Sequence, residues 1–160
     1  MDIRLMGQED LDGVAEVHRK AFTRQTMSRE WIECNFRAFP RMLYYVAEEG
    51  AAILGFIHWT QRSGFRPQVV LELEQLAVDP ERHGQGIGTA LIQQSLDLVK
   101  VHLRTRDAMV KHIVVTTRID NEAQKLYRKT LGVEVEATIR DLYSADEVFM
   151  VARNIEEARS

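Results

Sequence analysis

The chain has 160 residues, 45% of them hydrophobic and 28% charged, with a formal net charge of −3 at pH 7. That length suits one domain with a real core, 1–160, and the composition excludes a disordered chain and argues against a nucleic-acid partner. The single cysteine, Cys34, excludes an intramolecular disulfide and leaves no thiolate cluster for zinc, so a reducing, cytoplasmic setting and no metal are expected.

The opening MDIRLMGQED carries acidic residues where a secretion signal needs a basic start and an apolar core. No apolar run approaches the ~18 residues of a membrane span. IRLMG reads as a first strand, and from Asp10, the expected N-cap, Leu11, Val14, Ala15, His18 and Phe22 follow helical spacing. TRQTMSREWIECNFRAFPR holds a second helix started by Ser28 and ended near Pro40. LYYVAEEGAAILGFIHW contains two strand-like runs with Gly50 in the turn, the pattern of a hairpin.

VVLELEQLAV alternates apolar and acidic residues as a half-buried strand does, and the alternation changes phase at Gln75 and Leu76, which predicts a β-bulge there. A long helix follows the glycines, with Leu91, Ile92, Ser95, Leu96, Val99 and Leu103 on one face. HIVVTTR is a buried-type strand, and NEAQKLYRKTLG is a helix with Asn121 near its start and Gly132 at its end. VEVEATIR and EVFMVAR close the set. The order is βααβββαβαββ, a mixed α/β layered domain.

VDPERHGQGIGTALI, Val78 to Ile92, places three alternate glycines before a helix. A strand, a glycine turn and a helix N-terminus form an anion site, because free backbone N–H groups and the positive end of the helix dipole converge there. The spacing lacks the Lys-Ser/Thr of a Walker A loop and the third glycine of G-x-G-x-x-G, which weakens ATPase and dinucleotide readings.

LEQLAVDPERHGQGIGTALI closely resembles the pyrophosphate loop of the GNAT superfamily of acetyltransferases, V-x-P-x-x-R-G-x-G-x-G-x-x-L, matching at Val78, Pro80, Gly84, Gly86, Gly88 and Leu91. The strand and helix order matches that family over nearly the whole chain, and DNEAQKLYRKTLG is similar to its C-terminal helix. His83 stands where the family carries Arg or Gln, with Arg82 one position earlier. Tyr127 and Gly132 are one residue further apart than in the common family pattern, and Val133 replaces a Phe.

The resemblance implies a mostly antiparallel central sheet with helices on both faces, acetyl-CoA as donor, and a primary amine, small molecule or peptide, as acceptor. It implies a donor site made of Leu76, Ala77 and Val78 on the strand, of Arg82, His83, Gly84, Gln85, Gly86, Ile87, Gly88 and Thr89 in the loop, and of Asn121. An alkylamine with a pKa near ~10.4 is almost wholly protonated at neutral pH, so a base must take its proton before it attacks. Glu74 is the first candidate and Glu72, on the same strand face, the second; the bland alternative is that both decorate a solvated face. Tyr127 is the candidate acid for the leaving thiolate, its bland alternative a core tyrosine. Asn121 serves either the donor's arm or the helix start.

Five histidines, His18, His58, His83, His102 and His112, show no metal-binding spacing. Trp31, Phe36 and Phe39 either line an acceptor pocket or belong to the core. The reading is an N-acetyltransferase working by direct attack in a ternary complex; the alternative is a non-catalytic acetyl-CoA-binding regulatory module on the same fold. A homodimer through a terminal strand is compatible with the pattern.

Overall fold

A computed structural model describes residues 1–157. The elements are β1 (Asp2–Leu5), α1 (Leu11–Ala21), α2 (Ser28–Phe36), β2 (Met42–Glu49), β3 (Ala52–Gln61), β4 (Gln68–Val78), α3 (Ile87–Arg104), β5 (Met109–Arg118), α4 (Ala123–Leu131), β6 (Glu134–Ile139) and β7 (Glu147–Ala152). The expected order is the observed one. Among the described residues the strands form one seven-stranded, mostly antiparallel sheet in the order β1-β2-β3-β4-β5-β7-β6. β4 and β5 run parallel, and β7 lies between β5 and β6.

The chain divides into two compact units, Met1–Trp59 with Gln75–Val99, and Thr60–Glu74 with the chain from Lys100 on. In the first, Leu11, Val14 and Val17 of α1, Ile32 of α2, Val46, Phe56 and Ala77 form a buried cluster, against which Phe22, Trp31 and Phe36 pack. Trp31 and Phe36 therefore belong to the core's rim, whereas Phe39 is half exposed. Gly50 turns the β2–β3 hairpin at φ +63°, a value that glycine adopts without a Cβ clash. In the second unit, β5 pairs antiparallel with β7, Val115 against Met150, and β7 with β6, Val148 against Thr138.

Two local expectations are corrected, and a third, the start of α2 at Ser28, holds without a cap bond from that side chain. The burial of β4 alternates without a break, with Val69, Leu71, Leu73, Gln75 and Ala77 all buried, so no bulge flips the strand at Gln75. The sequence changes phase there because a polar residue occupies an inward position. The register shift lies instead between Val69 and Val70, in the parallel pairing with β5.

Asp10 precedes α1, but its carboxylate makes no cap bond to the helix. It accepts from Arg4 Nη1 and Nη2 at 2.7 and 2.9 Å and from the Gly7 N–H at 2.7 Å. That guanidinium holds the carboxyl well below the usual range. Ser28 opens α2 without capping it, because Met27 occupies the N-cap position in left-handed backbone and the Ser28 hydroxyl turns to His18.

Candidate functional site

The loop after β4 is built residue by residue. Asp79 accepts the Glu81 N–H at 3.0 Å and Lys20 Nζ at 3.1 Å, which starts a single 3-10 turn, Pro80–Arg82. Both donors hold the Asp79 carboxyl below its ordinary range, the backbone bond first. Gly84 and Gly86 both take φ +78°, and a Cβ at either would meet nothing within 4 Å. Conformation, not crowding, asks for glycine at these two positions. The space in front of them is open. Gly88 lies inside α3, so its reason is different from theirs.

The opening N–H groups of α3 lack an acceptor one turn earlier, and Ala90 is the residue whose N–H first reaches back, to Gly86 O at 3.1 Å. The first turn of this 18-residue helix carries no acidic residue to neutralise its positive end. The residues present thus fit a pyrophosphate: unused N–H groups, a helix dipole and two side-chain-free positions converge on open space.

Arg82 and His83, the two residues before Gly84, are both engaged. Arg82 Nη2 donates to Glu49 Oε2 at 2.6 Å and its Nε to Gln85 Oε1 at 3.2 Å. His83 Nε2 donates to the Val78 carbonyl at 3.2 Å. Behind the loop, β3 approaches β4 closely. A Cβ on Gly55 would stand 2.7 Å from Ala77 O.

On β4, the even positions Glu72, Glu74, Leu76 and Val78 share the partly exposed face. Glu74 Oε2 accepts the Thr60 hydroxyl at 2.7 Å, and Glu72 lies 3.6 Å from Arg62 Nη1. The odd face carries a chain of hydrogen bonds that the sequence reading missed. Trp31 Nε1 donates to Gln75 Oε1 at 2.9 Å, and Gln75 Nε2 donates to Gln25 Oε1 at 3.2 Å. His18 Nε2 donates to the same oxygen at 3.0 Å, so His18 Nδ1 accepts from Ser28 Oγ at 2.7 Å. Burial, partly offset by Gln25, lowers the His18 pKa and keeps the ring neutral, as this pattern of donors requires. The phase change at Gln75 was the signal of this network.

In the second unit α4 runs unbroken from Ala123 to Leu131 and ends with Gly132 at φ +70°, its N–H bonded to Arg128 O. The additional residue between Tyr127 and Gly132 is therefore absorbed as helix. Tyr127 is 7% exposed, and burial pushes its phenol up to about 12. Asn121 Oδ1 accepts the Ala123 N–H at 2.9 Å, and its Nδ2 donates to Thr117 Oγ1 at 2.9 Å. Asn121 thus ties the start of α4 to β5.

Among the described residues no group of three or more His, Cys, Asp or Glu side chains could hold a metal ion, and no helix is long and apolar enough to cross a membrane. Cys34 is exposed.

The family described as the Acetyltransferase (GNAT) family matches residues 11–133. An uncharacterized N-acetyltransferase of Methanocaldococcus jannaschii is 24% identical over 149 residues, 86% of this chain; the chain spans 62% of that relative's length. Two crystal structures share the fold. The ribosomal-protein-S18-alanine N-acetyltransferase of Escherichia coli has a TM-score of 0.77 at 20% identity, covering 98% of this chain and 96% of its own. An aminoglycoside 6′-N-acetyltransferase complexed with coenzyme A has a TM-score of 0.76 at 17% identity, covering 99% and 100%. With the strand, glycine loop and helix in this order, and the family match extending over most of its length, the chain belongs to the GNAT family of acetyltransferases.

Proposed function

We propose that this chain transfers an acetyl group from acetyl-CoA to a primary amine by direct attack in a ternary complex. The observation that carries the reading is the open glycine loop, Gly84 and Gly86 in left-handed backbone at the head of α3, in a chain of this family. Acetyl-CoA, when bound, supplies the activated thioester.

The chain's own residues divide the rest of the work. Gly84, Gln85, Gly86, Ile87, Gly88 and Thr89 bind the pyrophosphate through backbone N–H groups, with Thr89 adding a hydroxyl. Arg82 and His83, already bonded to Glu49, Gln85 and the Val78 carbonyl, serve mainly to hold the loop's shape. Leu76, Ala77 and Val78 offer strand backbone to the donor's arm, and a backbone N–H there stabilises negative charge on the reacting carbonyl. Asn121 has one amide hydrogen beyond the one given to Thr117, available for the donor to accept.

Glu74 takes the proton of the incoming ammonium, directly or through water, with Glu72 as the second candidate. Thr60 orients Glu74. Tyr127 gives a proton to the departing thiolate; with its phenol pushed up to about 12 it stays proton-loaded throughout the physiological range. Related proteins named for an aminoglycoside and for a protein alanine illustrate the span of amine acceptors open to this fold. The two acidic residues on the β4 face favour a cationic amine.

Calorimetric titration with acetyl-CoA, in parallel with ATP, followed by an assay of thiol release over a panel of amines, tests the reading. Saturable acetyl-CoA binding with amine-dependent thiol release supports it. Binding without release from any amine identifies a regulatory module, and no binding overturns both.

A further inference from the structure

The second unit contains a basic cavity that the acyl-transfer reading leaves unused. The N-terminal ends of β4 and β5 lie side by side in parallel register, Gln68 against Met109 and Val70 against His112. With the loop between β3 and β4 they line an open cavity of ≈ 650 Å³ that holds Arg62, Ser63, Arg66, Gln68, Lys111 and His112, among others. The glycine loop follows the other end of β4.

The cavity's walls are ordered by backbone bonds. Arg62 N–H donates to Val70 O at 3.0 Å and Met109 N–H to Pro67 O at 2.9 Å, which fasten both ends of the loop. Arg66 Nε donates to Ser63 O at 3.1 Å. Arg106 braces the loop from behind, with Nη1 on Arg66 O at 3.2 Å and its guanidinium 5.5 Å from the centre of the Phe65 ring.

Two of the three cations in it, Arg66 and Lys111, lack a carboxylate partner among the described residues. Elsewhere Arg4, Lys20, Arg29, Arg82 and Arg118 each lie against a carboxylate. Arg66 and Lys111 make no ion pair among the described residues, and Arg62 reaches Glu72 only at 3.6 Å. His112 Nδ1 accepts the Asn154 N–H at 3.1 Å, so a neutral ring carries its hydrogen on Nε2 as a further donor. In a chain of net charge −3, two cations without an ion pair, Arg66 and Lys111, beside a third on a fastened frame ask for an anion from outside.

We propose that this cavity binds a small anion carrying at least two phosphate groups. Arg62 and Arg66 on the loop and Lys111 on β5 bring three cations from two separate elements to one cavity, which suits two anionic groups better than one. Arginine forks match phosphate oxygens in pairs, and the Ser63 hydroxyl adds a donor. A cavity of this volume exceeds the needs of a single inorganic phosphate. The proposal stands apart from the acyl-transfer reading, because it uses none of the residues assigned to that chemistry.

The test is titration of the isotopically labelled protein with pyrophosphate, followed by amide chemical shifts, with inorganic phosphate at equal ionic strength as control. Saturable shifts at Ser63, Gln68 and His112 are expected, tighter for pyrophosphate, weakening as salt is raised. The double variant Arg66→Ala/Lys111→Ala should lose at least about tenfold in affinity at those amides, whereas Lys111→Arg retains it. Shifts confined to Gly84–Thr89, shifts that never saturate, or shifts unchanged in the double variant overturn the proposal. Shifts in the glycine loop are read separately, so failure here and failure of donor binding are distinguishable.

Discussion

Thr60 donates its hydroxyl to Glu74 Oε2 at 2.7 Å, so one of the two acidic residues on the β4 face is oriented by a buried neighbour while the other, Glu72, faces Arg62 at 3.6 Å. The difference makes the two glutamates separable. Glu74 is assigned the substrate's proton, and Glu72 is its alternative. Glu74→Gln is expected to lower kcat by about 10²- to 10⁴-fold with acetyl-CoA affinity unchanged, and Glu72→Gln much less. Thr60→Val should fall between them. Steady-state kinetics beside calorimetry of donor binding checks all three.

Tyr127→Phe removes the phenol and keeps the ring that fills α4's buried face. If Tyr127 supplies the leaving thiolate's proton, kcat falls while the Kd for acetyl-CoA stays the same. Because burial pushes the phenol up to about 12, wild-type kcat should show no descending limb from this group below about pH 10. Unchanged turnover in the variant would remove Tyr127 from the mechanism.

Two kinds of glycine should respond differently to alanine. Gly86→Ala places a Cβ in open space but forces left-handed backbone, costing about 1–2 kcal/mol and weakening acetyl-CoA binding through the loop's shape. Gly55→Ala meets Ala77 O at 2.7 Å, a backbone atom that cannot step aside cheaply, so global stability should fall by about 1–3 kcal/mol. Urea midpoints and donor titrations of the two variants separate the effects. Undiminished acetyl-CoA affinity in Gly86→Ala would make the loop an ordinary turn.

His58 gives the fold an acid-side weakness. The ring is fully buried, stacks on Tyr44 at 4.2 Å between centroids, and has Nε2 3.1 Å from Met42 Sδ. Burial, with the charge of Arg41 adding to it, pushes its pKa from 6.5 down to about 3. A histidine whose folded pKa is depressed contributes stability above its unfolded value, lost as pH falls through the folded one. Stability should therefore decline between about pH 6.5 and 3, by at most about 1.4 kcal/mol per pH unit from this group. His58→Phe should flatten that decline in urea melts taken across the window; an unchanged slope would assign the loss elsewhere.

Much of the architecture is legible in the chain because it is local. Apolar spacing along α1 and α3, the Gly50 turn and the alternation in β4 all follow from backbone periods of 3.6 and 2, which neighbours in sequence suffice to set. The glycine loop is legible for the same reason, since φ +78° at Gly84 and Gly86 is a demand on single residues. Asp10 misled: it has the right side chain for a helix cap, yet its carboxylate is taken by Arg4 and the Gly7 N–H.

Gln75 marks the boundary between these two kinds of information. Its position in β4 follows from the strand's own alternation, and its break in hydrophobicity is visible without any coordinates. That the break signifies a hydrogen-bonded inward glutamine, and not a bulge, depends on Trp31 and Gln25, 44 and 50 residues away along the chain. Local sterics prescribe where a side chain points, whereas a buried polar group is satisfied by whatever donors and acceptors the folded chain brings to it, and those come from any distance in sequence.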